Sequence, residues 1–124
     1  MIVQPRNQTA STQELVERFE RIALAQDEAI WKDRTARYNR LYEQMDEIRN
    51  ELRSREGDQR RALIPLLQSE NMQVRLKAAI TVLSVSPEAA RQALESVRDD
   101  GYFPQAADAR GMLAALDDGT FVLT

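Results

Sequence analysis

The chain has 124 residues and a formal net charge of −3, with Lys+Arg 17 against Asp+Glu 20. A chain of this size buries roughly two thirds of its unfolded surface around one core and folds without covalent staples. It contains neither cysteine nor histidine, which excludes disulfide frameworks, thiolate metal sites, thiol nucleophiles and imidazole proton transfer at neutral pH.

Residues 1–10 are polar, contain Pro5 and show no periodicity, so they read as a flexible lead-in without the apolar run of a signal peptide. A single helical-repeat domain is expected over 11–119. Ser11 and Glu14 fit a capping box, and Leu15, Phe19, Ile22 and Ala23 follow at helical spacing. Thr12 to Glu56 holds no glycine or proline, yet one helix of that length would span about 65 Å, too long for this domain to cover. The apolar phase slips between Ile30 and Tyr38, which places a break near Trp31–Arg34. A second stripe then runs through Tyr38, Leu41, Tyr42, Met45, Ile48 and Leu52. The N-terminal hairpin is therefore 11–56.

Gly57-Asp58 ends that hairpin and caps a third helix to about Ser69, kinked by Pro65. Asn71 caps a fourth helix that reaches about Val85. Ser86-Pro87 starts a fifth that Gly101 stops, and Pro104 and Gly119 bound a sixth. No segment alternates with period two long enough to be a strand, and none has the ~20 apolar residues of a membrane span. The expectation is an all-α fold of about six helices in three hairpins, cytoplasmic and with no membrane partner, followed by an apolar tail at 120–124.

Over 58–118 the pattern repeats every thirty residues: Leu63 with Ala93, Ile64 with Leu94, Leu67 with Val97, Leu76 with Ala106, Ala79 with Ala109 and Leu83 with Leu113. Apolar register of this kind marks stacked helical repeats. Small residues gather on the second helix of each hairpin, at Ala78 and Ala79, then at Ala106, Ala107 and Ala109, where they let neighbours approach closely. The Val-Arg-x-x-Ala-Ala core at Val74–Ala79 resembles the second helix of the HEAT and armadillo superfamily. The second copy departs from it, with Pro104 at the place of Val74 and Gln105 at that of Arg75. Through Leu15–Asp27, Tyr38–Tyr42 to Met45, Val74–Ala79 and Gln105–Leu116, the chain is also similar to a family of short bacterial proteins known only as a domain of unknown function. That resemblance implies an armadillo-like α-superhelix and supplies no activity.

No catalytic, cofactor-binding or metal-binding residue is expected. The glycines are isolated, and the acid pairs Asp99-Asp100 and Asp117-Asp118 end helices without the ligand spacing of a calcium loop. The candidate binding residues are Arg75, Lys77, Asp108 and Arg110, on the fourth and sixth predicted helices, which would line a concave face. Arg75 could instead pair with a carboxylate of the neighbouring hairpin. Trp31 reads either as a binding anchor or as a plug between the first two helices. Arg49, Arg53, Arg55, Arg60 and Arg61 surround one turn and could touch phosphates, but Glu51, Glu56 and Asp58 are interleaved. Phe121, Val122 and Leu123 either cap the last helix or join a homodimer. The expected function is a non-catalytic module that binds another protein through its concave face, as an adaptor or as an inhibitor of immunity type. The alternative is a nucleic-acid-binding module that uses the arginine-rich turn, which the net charge disfavours.

Overall fold

The computed structural model describes residues 6–124, and among them the protein is all-helical. The elements are α1 (Thr12–Trp31), α2 (Thr35–Ser54), a 3-10 helix (Gln59–Gln68), α3 (Met72–Val82), α4 (Pro87–Asp100) and α5 (Gln105–Asp118). Two compact units result, Met1–Ala62 and Leu63–Thr124, and the 3-10 helix crosses the division.

In the first unit α1 and α2 form an antiparallel hairpin. The capping box is present: Glu14 N donates to Ser11 Oγ at 3.0 Å and Ser11 N to Glu14 Oε1 at 3.4 Å. Leu15, Phe19, Ala23 and Ala29 bury one face of α1 against Leu41, Met45, Ile48 and Leu52 of α2. The break falls at Lys32–Arg34, with Asp33 in the left-handed region at φ 54°. The expected α2 stripe was too wide: Tyr38 is half-buried, and Tyr42 is 46% exposed beneath the Arg49 guanidinium, 5.9 Å from the ring centroid. Of the expected lead-in, residues 1–5, Pro5 included, lie outside the described residues. Residues 6–10 form a turn in which Arg6 O accepts from Thr9 N and Ala10 N, and Ala10 is buried.

In the second unit α3 is central, packed against both α4 and α5. Asn71 caps it, its side chain accepting from Gln73 N at 2.9 Å and Val74 N at 3.1 Å. Val74, Leu76, Ala78, Ala79 and Val82 are all buried, as expected of a helix apolar around most of its circumference. Every residue of the period-thirty pairs is buried except Ile64, which is half-buried. The segment read as a kinked α-helix is 3-10 throughout. Pro65 has no N–H to donate, so the ladder lacks one donor there, as it would in an α-helix. Ser86 stands at the N-cap of α4 with Pro87 at the first position, but its side chain accepts no capping bond. Gly101 and Gly119 close α4 and α5 in left-handed geometry, and Phe121 N turns back to Ala115 O at 3.1 Å while Val122 and Leu123 stay exposed.

Candidate functional site

A groove of about 390 Å³ opens in the second unit, lined by the 3-10 helix, α3 and α4. Ile64, Pro65 and Leu67 contribute from the 3-10 helix, and Ala89 and Ala93 from α4. Exposed Gln68 and Gln92 add polar atoms at its edge. The one charged side chain in the lining is Arg75 of α3.

Arg75 is half-buried and held in two places. Its Nε donates to Ser69 O at 2.9 Å and its Nη1 to Ser96 Oγ at 3.3 Å. The Ser96 hydroxyl in turn donates to Ala93 O at 2.6 Å, which leaves its lone pairs for the guanidinium. The carboxylate partner weighed from the sequence is not there. Among the described residues no acidic group lies within ion-pair distance of Arg75, and Nη2 makes no hydrogen bond.

The other sequence candidates separate from this groove. Lys77 sits among the buried residues of α3 at 9% exposure and does not line it. Lys77 therefore presents little open surface: α3 is covered on nearly every face, so alternate positions along it do not share one groove. Asp108 and Arg110 are exposed on α5, form no ion pair among the described residues, and do not line the groove. Trp31 is 68% exposed at the end of α1, in the other unit. Ser69, Ser96 and Gln92 were missed from the sequence. Ser96 lies twenty-one residues from Arg75, and no local spacing announces such a pairing.

The arginine-rich turn is largely engaged with its own acceptors. Arg55 pairs with Glu51 at 2.9 Å and Arg60 with Asp58 at 2.7 Å, and Arg61 Nε donates to Gly57 O at 3.1 Å. The Arg60 guanidinium holds the Asp58 carboxyl below the usual carboxylate range, and burial pulls Arg49 below the usual arginine range. A second, more open cleft of about 700 Å³ in the first unit is lined by Arg6, Arg18, Glu47 and Glu51 among others, so its charges of both signs compensate. Asp117 pairs with Arg91 at 2.9 Å and Asp99 with Arg98 at 2.9 Å. No group of acidic side chains among the described residues could hold a metal ion, and none of the helices there is long and apolar enough to cross a membrane.

The DUF2019 family model, described as a domain of unknown function, matches residues 13–117. The crystal structure of the protein RPA1889 from Rhodopseudomonas palustris is similar with a TM-score of 0.94 at 44% identity, over 98% of this chain and 100% of that one. No curated protein matches the chain.

Proposed function

The chain belongs to the DUF2019 family, a domain of unknown function, and from that premise we propose that it is a non-catalytic binding module for another protein. In this reading the second unit is a HEAT-like pair of hairpins, and the docking site is the groove beside Arg75. The observation that carries it is the anchored guanidinium set in a largely apolar groove without a carboxylate partner. Burial of the period-thirty positions supports the repeat architecture. A protein is favoured over nucleic acid because most arginines of the basic turn are engaged locally, so a coherent phosphate-binding stripe lacks its cations. An adaptor and an inhibitor of immunity type are both versions of this reading, and both place it in the cytoplasm.

Affinity capture of the tagged protein from its native host, with nuclease treatment and mass spectrometry, tests the reading. The expected result is one stoichiometric protein that survives nuclease and is lost with Gln92→Trp, which fills the groove from an exposed position of α4. Recovery of nucleic acid, or capture indifferent to Gln92→Trp, overturns it. Lys77→Glu is unsuitable as a probe, because burial makes it a stability variant.

A further inference from the structure

We infer that the occupant of this groove is a short peptide segment that presents an aspartate or glutamate side chain to Arg75, with an aliphatic side chain beside it against Ile64, Leu67 and Ala93. The inference rests on the groove being the protein-docking site and adds the chemistry of what docks.

The donor inventory of Arg75 leads there. A guanidinium has five N–H groups in a fixed fork. Arg75 spends one from Nε on Ser69 O and one from Nη1 on Ser96 Oγ, so both Nη2 donors remain. Among the described residues no acid pairs with its charge. Half-buried beside apolar side chains, it gains more from an incoming carboxylate than a fully solvated arginine would. The two anchors already fix the planar fork, so a ligand does not bear the full entropy of ordering it.

The shape and composition of the groove narrow the class. A space of about 390 Å³ admits only a few side chains, so contact is made by neighbouring side chains of a short segment. A phosphate dianion calls for several cations, and Arg75 is alone in the lining. Stacked bases need aromatic platforms, and none is present there.

Selection of short random peptides on the full-length protein tests this. Acidic residues flanked by Leu, Ile or Val should be enriched. Replacing the acidic residue of the best peptide by its amide should weaken binding by about tenfold to hundredfold, the worth of a charge-assisted hydrogen bond. Arg75→Gln should weaken the acidic peptide to a similar extent and the amide peptide much less, with Arg75→Lys between parent and Arg75→Gln and thermal melts confirming that all variants fold. Gln92→Trp should abolish binding of both peptides. If the enriched peptides lack acids, or bind Arg75→Gln undiminished, while Gln92→Trp still abolishes them, the carboxylate inference falls and the docking site stands. If Gln92→Trp binds like the parent, both fall. A library that yields no binder overturns the peptide inference. So does sedimentation that shows a dimer dissolved by Gln92→Trp, which would put a second copy in the groove.

Discussion

Arg55 belongs to the turn that the sequence marks as a possible phosphate contact, and the structure gives it another task. Its guanidinium donates to Asn7 O at 2.9 Å, Ala10 O at 2.7 Å and Thr12 Oγ1 at 3.3 Å, and it pairs with Glu51. One side chain at the end of α2 thus fastens the turn that enters α1. Arg55→Ala should cost about 1–3 kcal/mol in unfolding free energy, since two backbone carbonyls lose a charged donor. Hydrogen exchange should quicken selectively at Thr9 and Ala10, and uniform acceleration along the chain would contradict this role. A comparable long-range pairing joins α3 and α5, where Gln105 Nε2 donates to Gln73 Oε1 at 2.9 Å with both side chains buried. The Gln105 Oε1 atom itself is buried with no partner. Gln105→Ala removes the donor to a buried acceptor and opens space beside α3, so denaturant unfolding should show a loss of about 1–3 kcal/mol. A neutral result would mean that the pair specifies register and adds nothing to stability.

At the scale of elements, most boundaries are set by single residues with a clear mechanism. Gly101 ends α4 at φ 77°, with open space where a side chain would stand. Gly101→Ala should therefore cost only the left-handed conformational penalty, about 1 kcal/mol by chemical denaturation. A much larger cost would reveal a steric role that the structure lacks. The start of the 3-10 helix depends on Asp58, whose carboxylate accepts from Arg60 N at 3.3 Å and from the Arg60 guanidinium at 2.9 and 2.7 Å. That guanidinium, ahead of the opposing desolvation, lowers the Asp58 pKa. A carboxyl lowered in the folded state contributes its full stabilisation above the ordinary value of about 4 and loses it as pH falls through the folded-state value. Asp58→Asn should accordingly lower the melting temperature at neutral pH, by the equivalent of about 1 kcal/mol, since the Asp58 carboxylate stays partly exposed. The difference from the parent should vanish in acid below that window, and a gap that persists there would assign the effect to the turn rather than to the charge.

At the scale of the whole molecule, the distribution of charge separates the two classes of partner. Net charge is −3, most arginines of the basic turn have local acceptors, and the groove holds a single cation. Binding that depends on one ion pair should weaken by less than about tenfold between low and physiological salt. Six to ten phosphate contacts would weaken it by about a thousandfold or more over a similar range. Titrating the captured partner at several salt concentrations reads this slope directly, and a steep one would move the function to a polyanion.

Sequence alone determined the helical class, a break near Trp31–Arg34, the capping box at Ser11, the Asn71 cap and the glycine stops, because each follows from periodicity or from one residue's backbone chemistry. It also placed the buried positions of the period-thirty pairs, since apolar register is written locally. Tertiary structure alone decided that Lys77 is buried while Trp31 and Tyr42 are exposed, because a helical pattern identifies an apolar stripe but not how widely its neighbours cover it. The same limit hid the 3-10 winding around Pro65 and the pairing of Gln73 with Gln105. Arg75 shows the division within one residue: its helix and its charge were legible, but its anchors at Ser69 and Ser96 and its free Nη2 arise only when α3 and α4 pack together.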